Sequence, residues 1–191
     1  LALALGAELG LRRELVEAGL ADCLPAPHRL QLTEAGGVRV LDDTYNANPE
    51  SVRAALALLR DLDGPGRRLA VLGEMGEQGR HAPAVHEEIG RAAAAAGVHR
   101  LFAVGRWAAA CAAGARAGGL TACECFAAEA VSAVARAVLG QARPGDAVLV
   151  KASRAARLER VVEALLAGLA GGGAPVAERN GWEKGVSCSI V

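Results

Sequence analysis

From residue 38 to residue 170, short apolar runs alternate with stretches of helical spacing, which leaves few folds open. The apolar runs are VRVLD (38–42), RLAVLG (68–73), RLFAVG (100–105), TACECF (121–126) and AVLVKAS (147–153). Helices are predicted over 50–62, 83–96, 107–117, 127–140 and 154–170. Strands that read as near-continuous apolar runs are buried on both faces, and strands separated by helices pair in parallel. The pattern predicts an α/β domain: a Rossmann-like, doubly wound, mostly parallel sheet with helices on both faces. One antiparallel feature is predicted beside it. RLQLTE (29–34) and VRVLD flank Gly36-Gly37, which is a hairpin signal.

The ends of the chain read differently. It opens without Met in a helical pattern, and residues 11–22 continue it through Leu11, Leu15, Val16 and Leu20. Pro25 and Pro27 then end any helix, so CLPAPHR is a linker candidate. Residues 1–27 are therefore expected to be the last piece of a preceding domain with its linker, and 28–170 the doubly wound domain. Residues 171–191, opening with GGGAP, form a peripheral tail without a trusted period.

Composition excludes several classes. With 52% hydrophobic residues the bulk is not disordered. The 21 basic and 21 acidic residues balance, which argues against nucleic acid or an anionic membrane as main partner. No apolar run reaches the roughly 20 residues of a membrane span, and no secretory signal is recognised at the start. The 5 cysteines are odd in number and form no CxxC pair, which fits reduced thiols in a cytoplasmic protein. The 4 histidines show no metal-ligand spacing, so no metal site is expected in this chain.

In an open parallel sheet, ligands bind beyond the carboxyl ends of the strands. The loops there are DDTYNANP (42–49), GEMGEQG (73–79), GRW (105–107) and KASR (151–154). DDTYNANP holds two carboxylates, two carboxamides, a hydroxyl and the only Tyr of the chain. A helix cap would explain one of these residues. A nucleotide site would explain most of them: a carboxylate for ribose hydroxyls, carboxamides for polar edges, an aromatic face for stacking. GEMGEQG is either a plain connection or part of the site. All but two of the 21 basic residues are Arg, so Lys151 suggests that a compact point charge is needed, for a phosphate or a carboxylate. His86 is expected to be structural. No GxxxxGK[ST] phosphate loop occurs in the chain.

Taken in order, PxP-x-RL, DDTYNANP-x-S, AVLGEM-x-E-x-G, VH-x-E-IG and LVKASR-x-x-RLE-x-VV resemble the Mur ligases, and among them the D-alanyl-D-alanine-adding branch. The resemblance spans about residues 1–168. It implies a three-domain enzyme of which this chain holds the end of the central ATPase domain and the whole C-terminal domain. It implies ATP-dependent, ADP-forming amide synthesis through an acyl phosphate, in peptidoglycan precursor assembly. ATP and Mg²⁺ would be bound mainly by the central domain. The implied partners are UDP-N-acetylmuramoyl-tripeptide and D-alanyl-D-alanine, in a cytoplasmic, monomeric enzyme that binds neither nucleic acid nor membrane.

Residue by residue, the resemblance places Arg29 at the inter-domain arginine that reaches the γ-phosphate. Asp43 falls at the ribose carboxylate, and Tyr45, Asn46 and Asn48 on the adenine side. Lys151, Ser153 and Arg154 stand near the incoming substrate, with Lys151 and Arg29 as catalytic candidates. Two positions depart from the pattern: His28 and Ala152 stand where the family usually has Gly. If position 152 needs φ > 0, Ala costs roughly 1 kcal/mol. Two other readings compete: a folylpolyglutamate synthase relative, against which DDTYNANP speaks, and a non-catalytic nucleotide-binding Rossmann module.

Overall fold

The computed structural model describes residues 1–22, 26–171 and 177–178. The hairpin forms β1 (Gln31–Ala35) and β2 (Val38–Asp43), antiparallel across Gly36-Gly37, both at positive φ. Then follow α3 (Pro49–Asp61), β3 (Arg68–Leu72), α4 (Ala82–Ala95), β4 (Arg100–Val104), α5 (Ala108–Ala117), β5 (Cys123–Phe126), α6 (Val131–Gln141), β6 (Ala147–Lys151) and α7 (Glu159–Ala170). Strand order is β5-β4-β3-β6-β2-β1-β7, where β7 is the two-residue Ala177–Glu178, antiparallel to β1. The five strands from β5 to β2 are parallel. The doubly wound sheet expected from the alternation is therefore present.

Period-2 alternation divides each central strand between two cores. Leu41 and Leu149 point with Leu56, Leu59 and Ile89 into the layer under α3, α4 and α5. Val40, Val148 and Val150 point with Val134, Val161 and Leu165 into the layer under α6 and α7. Burial on both faces is why these strands read as unbroken apolar runs.

Boundaries moved where local geometry interrupts a pattern. The N-terminal helical stretch is two helices, α1 (Ala2–Glu8) and α2 (Arg13–Ala21), because Gly10 takes φ +68 between them. The last helix is preceded by a short 3₁₀ turn, Arg154–Ala156, which Arg157 closes at φ +52. The linker CLPAPHR lies in part, and the 171–191 tail for the most part, outside the described residues. Among the described residues no helix is long and apolar enough to cross a membrane.

The topology decides where a ligand can sit. From β2 the chain passes over the β6 position to β3, runs outward through β4 and β5, then returns to insert β6 between β3 and β2. The winding direction reverses between β3 and β6, and crevices form at the carboxyl ends of such neighbours.

Asp146 secures the entry to β6. Its carboxylate accepts from the backbone N–H of Arg67 (2.8 Å), the Arg67 guanidinium (2.7 Å) and the backbone N–H of Arg143 (3.0 Å). Burial by itself would raise this carboxyl, but the bonds from Arg67 and Arg143 outweigh it and hold Asp146 below the usual carboxylate range. A carboxyl lowered in the folded state stabilises above its unfolded value, near 3.9, and loses that stabilisation as pH falls through its folded value. Asp146→Asn should lower unfolding stability by about 2 kcal/mol at neutral pH. In denaturant titrations at several pH values, the gap to the parent should shrink below about pH 4.

Candidate functional site

The loops singled out in the sequence meet at one edge of the sheet. Asp43 ends β2 and Lys151 ends β6, and the register pairs them directly; Leu72, the last residue of β3, pairs with Lys151 on the other side. Lys151 is 2% exposed. Its ammonium donates to Asp43 Oδ2 and, at 2.9 Å, to the carbonyl of Asn46. The carboxylate for which a compact cation is needed thus includes one supplied by this chain itself, 108 positions away.

Asp43, 8% exposed, uses its other oxygen to accept from Leu30 N–H at 3.3 Å. Asp42 accepts from the His28 ring Nδ1 (2.8 Å) and from Thr44 N (3.0 Å) and Oγ1 (2.7 Å). The two aspartates therefore pin a backbone knuckle at residues 28–30. His28 and Leu30 both sit there in the left-handed region, at φ +61 and +51. A non-glycine residue in that region is disfavoured by roughly 1 kcal/mol or more. At His28 the ring bond to Asp42 and the backbone bonds to Gln31 Oε1 and Tyr45 N–H offset that cost. Position 28 thus has the geometry that suits Gly. Position 152 does not: Ala152 is outside the left-handed region, so the conditional cost does not arise. Its methyl packs where Gly73 lacks a Cβ; one there would stand 2.6 Å away.

The knuckle carries Arg29 out to solvent, with its guanidinium 4.0 Å from the centroid of the Tyr45 ring. Tyr45 is 44% exposed, an unusual state for the only tyrosine of an apolar-rich chain. Asn46 turns its amide oxygen to Ala47 N–H (2.9 Å). Asn48 caps α3: its side chain accepts from Ser51 N–H at 2.8 Å, Ser51 Oγ accepts from Asn48 N–H in return, and Pro49 opens the helix. The cap accounts for the oxygen of Asn48, while its NH₂ makes no hydrogen bond among the described residues. Ser153 is buried, and its N–H donates to the Glu74 carbonyl (2.8 Å). Arg154 is exposed, 3.6 Å from Glu159.

Sequence reasoning gave Glu74 no role of its own, and passed over Asp42. Glu74 follows β3 at the switch point, and its carboxylate accepts from Arg106 N–H after β4. His86 is structural, as expected. Its Nδ1 lies 2.7 Å from the Ala82 carbonyl and its Nε2 3.0 Å from Met75 N–H. Since N–H can only donate and C=O only accept, the proton is on Nδ1 and Nε2 is the acceptor. This neutral imidazole fixes the start of the 73–79 loop. Among the described residues no group of three or more His, Cys, Asp or Glu could hold a metal ion.

Residues 28–154 match the model of the Mur ligase, glutamate ligase domain family. The chain belongs to the Mur ligase family. A similar relative is the UDP-N-acetylmuramoyl-tripeptide–D-alanyl-D-alanine ligase of Mycobacterium tuberculosis, 40% identical over 188 residues. That alignment covers 87% of this chain and 36% of the relative. The Escherichia coli enzyme of the same name is 36% identical over 167 residues, covering 86% of this chain and 35% of its own. The chain thus spans little more than a third of these Mur ligases. The structure of a MurF ligase from Thermotoga maritima in complex with ADP superposes with a TM-score of 0.72 at 28% identity, over 90% of this chain and 37% of that one.

Two measurements test the geometry of this Mur ligase domain. Lys151→Met should cost about 3–5 kcal/mol of stability, because it strands the Asp43 carboxylate in a buried position. Adding Asp43→Asn to it should recover part of that loss in a double-mutant unfolding cycle. His86 is held below the usual histidine range, mainly by burial, against opposing effects of the Ala82 carbonyl and Glu74. A histidine lowered in the folded state stabilises above its unfolded value and loses that stabilisation as pH falls. Stability should therefore decline from about pH 6.5 downward. His86→Gln should flatten that segment of the pH profile.

Proposed function

We propose that this chain is the C-terminal part of an ATP-dependent amide ligase that joins D-alanyl-D-alanine to UDP-N-acetylmuramoyl-tripeptide in the cytoplasm. The reading is carried by one juxtaposition. Arg29, Tyr45, Asp43, Lys151 and Ser153, the positions matched to the ligase motifs, gather on one sheet edge of a domain whose relatives bear that name. Residues 1–22 are assigned to the preceding ATPase domain. In support, α2 buries none of its residues, and Leu1, Leu3, Leu5, Leu9, Leu11, Leu15 and Leu20 are exposed. Leucines in that number suit a surface that another body covers.

The edge divides its work by burial. Arg29 and Tyr45 are the residues that fit a nucleotide. An exposed ring beside a guanidinium suits a base and an anionic phosphate, which is the chemistry ATP brings when bound. Asp43, mostly covered, keeps lone pairs for a ribose hydroxyl while it holds Lys151. Lys151 acts here by positioning: it joins the end of β6 to the DDTYNANP loop and so keeps Ser153 and Arg154 facing the incoming amine. Mg²⁺ is assigned to the preceding domain, along with the phosphate loop that this sequence lacks.

The test is phosphate release by the enzyme that includes the preceding domain. Release should require ATP, D-alanyl-D-alanine and UDP-N-acetylmuramoyl-tripeptide together, and the 191-residue chain alone should show none. Arg29→Ala should raise the KM for ATP by roughly 10- to 150-fold, as expected for loss of a charged hydrogen bond of about 1.5–3 kcal/mol. Turnover independent of the dipeptide, or an unchanged KM for ATP, would overturn the assignment.

A further inference from the structure

The chain enters the doubly wound domain through a tight turn. Arg29 N–H donates to the Ala26 carbonyl at 3.2 Å, with Pro27 in the second place of the turn and His28 in the third, at φ +61. Pro followed by positive φ is the pattern of a type II turn, whose third place favours Gly or Asn. Gly takes that conformation without a steric cost, so an imidazole there calls for a reason of its own.

The ring reaches back to the sheet. His28 Nδ1–H donates to Asp42 Oδ2 at 2.8 Å, and since a carboxylate only accepts, a ring proton is on Nδ1. Asp42 is a firm anchor. It lies within β2, in register with Gln31 of β1 and Val150 of β6, and its Oδ1 accepts from the N–H and hydroxyl of the fully buried Thr44. The other side-chain ties of the turn are longer or more local. Leu30 N–H reaches Asp43 at 3.3 Å, and His28 N–H donates to Gln31 Oε1, a side chain 3 positions on. The ring bond is the short, charge-assisted one that runs to an interior strand.

What the turn carries is Arg29. The His28 carbonyl accepts from Tyr45 N–H at 3.0 Å, which joins the turn to the Tyr45 backbone, and the Arg29 guanidinium lies 4.0 Å from the centroid of the Tyr45 ring. Arg29 stands between two residues at positive φ, His28 and Leu30, so the direction of its side chain follows the setting of the turn.

We infer that His28 is a positioning residue: its bond to Asp42 locks the entry turn in one setting and so keeps Arg29 over Tyr45. The inference rests on the ligase reading for what Arg29 then serves, the phosphates of ATP, and on geometry alone for the lock. Without the ring the turn pivots on its backbone bonds, and Arg29 has to be ordered anew each time nucleotide binds, which lowers affinity. A purely conformational role at this place would be filled better by Gly. The two roles therefore make opposite demands on position 28.

Two substitutions separate them. His28→Gly keeps the turn and removes the lock. His28→Asn keeps both, because Asn suits positive φ and its amide nitrogen occupies the δ position from which the ring donates. In NMR spectra of the 191-residue chain, the δ protons of Arg29 should be shifted upfield by the Tyr45 ring in the parent and in His28→Asn. In His28→Gly, with amide dispersion retained as the fold control, they should return towards the position of an unstructured arginine. In the ligase that includes the preceding domain, His28→Gly should raise the KM for ATP roughly 3- to 10-fold, the effect of ordering one long side chain, and leave kcat unchanged. His28→Asn should restore most of that loss. Added to Arg29→Ala, His28→Gly should cause no further rise, since the lock acts through Arg29. An Arg29 signal unmoved by His28→Gly, or a full additional rise on top of Arg29→Ala, overturns the lock. If Arg29→Ala raises the KM for ATP but His28→Gly does not, the lock falls and the ligase reading stands. If Arg29→Ala leaves that KM unaltered while His28→Gly releases the Arg29 signal, the lock stands and the ATP role of Arg29 falls.

Discussion

The buried pair between Lys151 and Asp43 is the contact on which this edge of the molecule depends. It joins neighbouring strand ends, β6 and β2, at the one border where loops must hold a fixed shape without further strand pairing. Charge burial of this kind adds little stability over a well-packed apolar pair. What it supplies is direction. An ammonium with bonds to Asp43 and to the Asn46 carbonyl admits only one arrangement of the DDTYNANP loop.

The same economy recurs around it. Asp42 and Asp43 hold residues 28–30 in a conformation the chain disfavours, and that knuckle lifts Arg29 onto Tyr45. His86, fixed in one tautomer, holds Met75 and with it the loop that starts at Gly73. Ser153 N–H ties that loop to the segment after β6. Arg29 and Tyr45, by contrast, stay exposed at this edge, the guanidinium 4.0 Å from the ring centroid. Buried polar groups are ordinarily satisfied within the protein, as Asp42, Asp43 and Lys151 are.

Much of this was legible before any coordinates. Apolar runs alternating with helices led to the doubly wound sheet, and the Gly36-Gly37 hairpin formed where it was read. A helix cap was expected to explain one residue of the DDTYNANP loop, and that residue is Asn48, the N-cap of α3. Boundaries failed where one residue's φ decides, at Gly10 and Arg157, since no hydrophobic period reports a single dihedral. Lys151 was singled out by its rarity and Asp43 by its motif, but not their pairing, because contact across 108 positions follows from strand order.

Local pattern therefore determined which segments are strands and helices, which of their faces are apolar, and which loops are rich in polar groups. Each of these depends on neighbours within a few positions along the chain. Strand order did not follow from it: β6 inserts between β3 and β2 only in three dimensions, and that insertion sets Lys151 against Asp43 and Ser153 near Glu74. The sequence alone showed a lysine where a point charge was wanted. Tertiary structure decided that its counter-charge is internal, because only the fold determines which oppositely charged groups come within reach.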